Sequence, residues 1–284
     1  MNWHKGIATW SIDKTLYISV PFTWLVADAE KIARNWKGKT LIGGPGLMKP
    51  TECEGFEPII FHNPLASQTT VGCPNNCPFC AVRKIQPEFK EIPNFRPAPI
   101  NCDNNLLAAT FKHIVKVIDS MVQYPYSDFN QGVEARRFTP LVADQFGRIK
   151  CKVRFSFDSW GNEAVVKDAI DLCRKRATND IGVYCLIGYN DTPESAIARL
   201  ELVRSWGIDP NPMRYQALDA KFKNDDKTLP PSWTPEKMAD VMRYYSRLQH
   251  LRFITFDEYK ANPKEQLEFD ELVFRGVEPV KVKE

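Results

Sequence analysis

Nowhere in the 284 residues does an apolar run approach the roughly 18 that a membrane-crossing helix needs. The opening Met1-Asn2-Trp3-His4-Lys5 has no apolar core of the kind a secretory signal carries, so a cytoplasmic setting without a membrane partner is expected. Charge of one sign is scarce as well. Lys and Arg number 38 against 35 Asp and Glu, and the resulting +3 neither requires a nucleic-acid partner nor excludes one. Internal repeats and low-complexity tracts are missing, which removes solenoids and arrays. A second C-x-x-C pair is missing too, and structural zinc sites usually come as two separated pairs.

What is there is the balance of an ordinary globular protein, with 43% hydrophobic and 26% charged residues. A chain of this length makes one large domain or two modest ones and buries roughly 75% of its unfolded surface. The eight cysteines divide unevenly. Cys53, Cys102, Cys151, Cys173 and Cys185 stand singly between apolar stretches and read as buried small hydrophobes. Cys73, Cys77 and Cys80 crowd together, and in a reducing compartment such a cluster reads as metal ligation or redox chemistry, not as a disulfide framework.

The first 65 residues read strand, helix, strand. Leu16-Tyr17-Ile18-Ser19-Val20 is a short apolar strand, residues 27–36 carry a helical stripe, and Thr40-Leu41-Ile42 is a second strand ended by Gly43-Gly44-Pro45-Gly46. Thereafter strand-like and helix-like stretches alternate about six times, the pattern of parallel β-α units. Strands are expected at 68–71, 98–102, 128–133, 151–157, 182–187 and 213–217. Helices are expected at 106–121, 140–149, 163–176, 193–206 and 235–251. Thr192-Pro193 is a helix start and Gly207 a helix stop. The charged tail 278–284 is expected to fray. The expected fold is thus α/β: a partial (β/α)6 barrel over 66–220, a small β-α-β segment over 1–65, and a helical extension over 221–284 packed on the barrel.

Within 151–158, Val153, Phe155 and Phe157 alternate with Arg154, Ser156 and Asp158. One side must meet helices, and the other projects polar groups into an interior that a fully packed barrel would fill with branched aliphatics. Asn101, Asp103 and Asn105, with Gly132, Glu134 and Arg136, are expected in that same polar interior. Rim salt bridges are the alternative for any one of them.

The most specific stretch is Thr69-Thr70-Val71-Gly72-Cys73-Pro74-Asn75-Asn76-Cys77-Pro78-Phe79-Cys80. Thiolates spaced by three and then two intervening residues can converge on one cluster, and three are one short of the four that close an iron–sulfur cube. The vacancy reads as an open coordination position. Zinc is the rival, with a distant cysteine or His62 as fourth ligand.

C-x3-C-x2-C on the loop after the first strand of a six-unit β/α chain resembles the radical S-adenosylmethionine (radical SAM) superfamily, over about residues 66–218. The resemblance implies that Cys73, Cys77 and Cys80 hold a [4Fe–4S] cluster whose fourth iron is chelated by S-adenosylmethionine. It implies reductive cleavage to a 5′-deoxyadenosyl radical that takes hydrogen from a substrate, with a reductant such as flavodoxin or ferredoxin as partner. Phe79 is similar to the residue whose backbone meets adenine. Asp103-Asn104-Asn105 stands where the family often has a Gly-Gly-Glu-like contact to the methionine amino group, a departure that keeps the acceptors. Ser156 and Asp158 match the ribose-contacting positions, and Gly188 and Glu194 lie in a stretch similar to the adenine-supporting motif. Glu194 could equally be a helix-dipole partner. Arg136 and Arg154 are candidates for the methionine carboxylate, or are internal ion pairs with Glu134 or Asp158.

The segments Ile18–Trp24 and Ile42–Gly46 are similar to the latter half of a cobalamin-binding, flavodoxin-like domain, but the D-x-H-x-x-G loop of that domain is missing. The segment reads as a shrunken remnant. Other functional classes stay open: a non-catalytic iron–sulfur or zinc module for electron transfer, and a cobalamin-dependent radical methyltransferase. The substrate is left open among a small molecule, a nucleotide and a nucleic acid. Residues 221–227 hold Lys221, Phe222, Lys223 and Lys227, but Asp225 and Asp226 dilute them, so a solvated loop is expected. Cys102, Cys151 and Cys185 alternate in step with apolar neighbours and are expected to pack against helices.

Overall fold

In the computed structural model, which describes residues 3–49, 57–177, 179–247 and 254–261, the β-α alternation resolves into two sheets and a small hairpin. Cys53, the last residues of the helix expected at 235–251, and the tail 278–284 lie outside the described residues. Among the described residues no helix is long and apolar enough to cross a membrane.

The N-terminal unit has one strand more than expected. β1 (Ala8–Ile12) pairs antiparallel with β2 (Thr15–Ser19), and β2 runs parallel to β3 (Lys39–Gly43) after α1 (Val26–Asn35). The two-residue turn Asp13-Lys14 has both residues at positive φ, 47° and 63°, the twist that suits a tight hairpin. β1 carries no apolar alternation because it is a mostly exposed edge with a single buried residue, Ala8. Leu16, Ile18, Val20 and Ala29 form the small core of this unit.

The main sheet has six strands in the order β11-β10-β9-β8-β7-β4, every neighbouring pair parallel. They are β4 (Ala66–Ser67), β7 (Ile100–Asn101), β8 (Ser127–Phe129), β9 (Cys151–Ser156), β10 (Asp180–Ile187) and β11 (Pro210–Arg214). The order follows the chain without reversal. Right-handed crossovers then put all the intervening helices on one face, unlike a doubly wound sheet. Those helices are α3 (Phe111–Met121), α4 (Pro140–Phe146), α5 (Glu163–Arg176) and α6 (Pro193–Ser205), with α7 (Pro235–Tyr245) joining the same core. α8 (Phe256–Ala261) rests on α7 through Phe256 and Tyr244, whose rings are 5.4 Å apart.

Capping explains several boundaries. Thr110 is extended and its hydroxyl accepts the His113 N–H, so the helix expected from 106 begins only at Phe111, after a 3-10 turn at Leu106–Ala108. Thr192 accepts the Ser195 N–H before Pro193, and Gly207 ends α6 at φ 72°.

The two faces of the main sheet differ as the alternation required. Cys151, Val153, Phe155, Phe157, Val183, Cys185 and Ile187 are buried in the helix-side core. The opposite, open face carries Asp128, Arg154, Ser156 and Tyr184, in register across the strands. Two expectations fail here. Asn101 is in register with Phe129 on the helix side, and its Oδ1 accepts the Asp103 N–H (3.2 Å). Cys102 belongs to the open face instead, in a separate cluster with Ala66 and Ile100 under Trp3 and Ile59. Period-two alternation fixes which residues share a face but not which face meets helices.

Candidate metal and cofactor centre

The strand expected at 68–71 is split. Asp103, buried after β7, takes the N–H groups of both Thr69 and Thr70 and the Thr69 hydroxyl. These donors are thereby lost to the parallel ladder, and the chain turns into a two-stranded hairpin, β5 (Thr70–Val71) against β6 (Lys90–Glu91). The cysteine loop is the long connection of that hairpin. Its entry is Gly72, at φ 77°, where an added Cβ would stand 2.0 Å from the Glu88 carbonyl oxygen, so no other residue fits. The Gly72 N–H donates to Asn104 Oδ1 (3.0 Å). Between Cys77 and Cys80 the chain closes a turn through Cys80 N–H to the Cys77 carbonyl (3.1 Å), and α2 (Val82–Ile85) follows.

The three thiols are half-buried and unpaired by disulfides. Burial raises the Cys77 thiol above its ordinary range, and the neighbouring Cys80, Cys73 and Asp158 raise it further. Burial also raises Cys80, against the Val82 backbone N–H that favours its thiolate. Such mutual influence requires the three side chains to be neighbours. Cys73 Sγ accepts the Asn75 N–H and Asn105 Nδ2–H, both at 3.4 Å.

Asn105 connects the loop to a carboxylate. Its Nδ2 donates to Glu134 Oε2 (2.8 Å), and Glu134 accepts from Arg136 Nε (3.2 Å) and Arg137 Nε (3.0 Å). Burial alone would raise Glu134, but Asn105, Asn75 and the two guanidinium groups hold it below the ordinary carboxylate range. Asn105 Oδ1 is buried without a partner in the described structure. An orphaned acceptor beside a thiol is the kind of group that a bound cation or ammonium satisfies.

On the other side of the loop stands Asp158. It accepts the Leu186 N–H (3.1 Å), and burial pushes its carboxyl upward. The Phe79 ring meets Tyr189 edge-on at 5.4 Å, and Tyr189 leans on Tyr215 at 4.8 Å. Tyr189 sits in the turn after β10, where Gly188 (φ 78°) donates its N–H to Asp191 Oδ1 (2.9 Å). Asp191 is held by Arg199 (2.6 Å) and Trp233 Nε1 (3.1 Å), and the fully buried Arg199 also ties the Phe157 and Leu186 carbonyls. Sequence reasoning missed this Asp191–Arg199–Trp233 brace. Its partners come from separate elements, and an arginine in a helix gives no sign of being buried.

The structure therefore brings together Cys73, Cys77, Cys80, Asn105, Glu134 and Asp158, with Phe79 at the rim. Other residues stand differently. Asp103 and Asn104 are consumed by Thr69, Thr70 and Gly72, so they shape the loop. Arg154 pairs with neither Glu134 nor Asp158; its partner is Asp128, with its guanidinium 5.8 Å over the Tyr184 ring. Arg136 is an exposed partner of Glu134. Gly132, Glu134 and Arg136 fall beyond β8, on a loop and turn. Ser156 is exposed at the end of β9. Glu194 is exposed in the first turn of α6, on an outer groove with Ile197, Glu201, Lys237 and Phe256.

Among the described residues no three of His, Cys, Asp or Glu converge closely enough to hold a single metal ion. A zinc ion gathers its thiolates within about 2.3 Å of one centre, whereas a cube gives each thiolate its own iron. His62, the alternative zinc ligand, bonds the His4 carbonyl (3.0 Å) and Ser19 Oγ (2.9 Å) in the N-terminal unit.

No protein-family model, no curated protein and no solved structure matches the chain.

Proposed function

We propose that the protein is a radical SAM enzyme, with an iron–sulfur cluster held by Cys73, Cys77 and Cys80 and S-adenosylmethionine beside it. The observation that carries this reading is the meeting of three half-buried thiols on one tethered hairpin loop with the partnerless acceptor of Asn105, which reaches that loop from beyond β7. When bound, a [4Fe–4S] cluster would supply the single electron that cleaves the sulfonium.

The chain's own residues do the rest. Asp103 and Gly72 fix the loop, and Asn75 and Asn105 direct N–H groups at Cys73. Asn105 Oδ1 and Glu134 offer acceptors to an ammonium, and Phe79 with Tyr189 offers an aromatic edge to a planar base. The sequential strand order supports a partial barrel whose polar open face receives the substrate.

The test is anaerobic reconstitution with iron and sulfide, followed by dithionite and S-adenosylmethionine. Formation of 5′-deoxyadenosine is expected. A reduced cluster that never yields it would move the protein to the class of non-catalytic electron-transfer modules. Cobalamin retained on the purified protein would mark it as a methyltransferase.

A further inference from the structure

We infer that His113 is a positioning residue for the cysteine loop: from α3 it fixes the Thr69 carbonyl, and with it the hairpin arm that delivers Cys73 to Asn105. The inference deepens the function proposed above and rests on it for the chemistry, but the placement of the side chain stands on its own geometry.

His113 is 5% exposed and sits in the first turn of α3, a helix seated in the core through Ile114, Val117, Ile118 and Met121. Its Nε2 lies 3.0 Å from the Thr69 carbonyl oxygen. A carbonyl only accepts, so Nε2 carries a proton and donates it. Nδ1 faces Glu91 Oε2 at 3.7 Å, and the Phe95 ring meets the imidazole edge-on at 5.7 Å. Glu91 belongs to β6, and its Oε1 accepts the Thr110 N–H at the start of α3 (2.6 Å). One imidazole thus faces both arms of the hairpin. A buried imidazole is costly unless its polar atoms are used. Here Nε2 is spent on the segment that carries the thiols.

What lies between Thr69 and the thiols makes this tether matter. Asp103 takes the Thr69 N–H and hydroxyl, and the Thr69 carbonyl also accepts the Ile92 N–H (2.9 Å). Thr70 and Val71 pair with β6, Gly72 donates to Asn104, and Cys73 accepts from Asn75 and Asn105. Every residue from Thr69 to Cys73 is held, so a shift at the first is passed to the last. Asp103 and Asn104 hold the segment from the end of β7, and His113 holds it from the helix layer. Anchors on two layers fix a position where one alone permits a swing.

The experiment compares His113→Leu, His113→Asn and His113→Gln in the full-length protein. Leucine keeps apolar bulk against Phe95 and has no donor. Glutamine places an amide N–H about where Nε2 stands, and asparagine falls short of it. Amide exchange over residues 69–73 of the cluster-free protein should quicken about ten-fold in His113→Leu and His113→Asn, the effect of one buried hydrogen bond, and stay near the parent's in His113→Gln. After reconstitution, the S-adenosylmethionine needed to shift the electron paramagnetic resonance of the reduced cluster half-way should rise about ten-fold in the first two and be restored in the third.

The inference is overturned if His113→Leu matches the parent, which would make the role one of bulk. It is also overturned if all three variants loosen residues 69–73 alike, or if exchange quickens evenly through α3 and the main sheet. His113→Gln decides by itself should the shorter side chains prevent folding, since loosening of residues 69–73 in that variant refutes the tether. The exchange measurement needs no cluster, and 5′-deoxyadenosine formed by the parent reports on the radical reading alone, so the two can fail separately.

Discussion

Two sets of cysteines in one chain show what environment does to a thiol. Cys151, Cys173 and Cys185 sit within the helix-side core, and burial drives each thiol up, Cys185 to about 12. Cys102, on the other face under Trp3 and Ile59, is likewise pushed to about 12. These four are packing atoms that stay protonated. Cys73, Cys77 and Cys80 are only half-buried and crowd one another, and Cys73 accepts two N–H groups, on a loop that the rest of the protein holds in place. The difference lies in exposure and crowding: three neighbouring half-buried thiols can be reached from outside, and four sealed ones cannot.

The sharpest way to break this contrast is to exchange the roles. Cys77→Ala should abolish the visible thiolate-to-iron absorption of reconstituted protein. Full iron content in that variant would end the ligand assignment. Next in size is Gly72→Ala, which leaves every thiol in place but sets a Cβ against the Glu88 carbonyl at positive φ. Cluster loading should fall severely although the thiol count by Ellman titration is unchanged. Asn105→Ala removes the donor on Cys73 and the free acceptor. The S-adenosylmethionine concentration for half-maximal 5′-deoxyadenosine formation should rise roughly ten-fold. If only stability moved, Asn105 would be a purely structural residue.

On the core side, Cys185→Ala should cost about 1–2 kcal/mol in urea unfolding and leave iron loading intact. The smallest effect is in pH. Asp158 has its folded pKa raised by burial, so its contribution to stability is full below the unfolded carboxyl value and is lost as pH rises through the folded value. Asp158→Asn, which keeps an acceptor for Leu186, should flatten that part of the stability profile. Urea midpoints taken from pH 4 upward would read it, and parallel profiles for the two proteins would refute it.

Much of the fold could be read from periodicity. Residues 163–176 form the helix expected, and Val153, Phe155 and Phe157 share the core face. β1 could not be read that way, since an exposed edge strand carries almost no apolar alternation. The strand at 68–71 broke because Asp103, more than thirty residues on, takes its donors. Arg154 was legible as an interior charge, but its partner Asp128 was not, because ion-pair partners depend on strand register.

By itself, the sequence determined how many thiols lie close along the chain, their spacing, and which residues alternate on each strand, because these are properties of neighbours in a chain. Only the tertiary structure decided that Asn105 reaches Cys73, that Asn101 turns to the helices while Cys102 turns away, and that Thr23 meets Ala220. Those contacts join residues tens to nearly two hundred positions apart. They follow from strand order, register and the loop tethers, which no local pattern encodes.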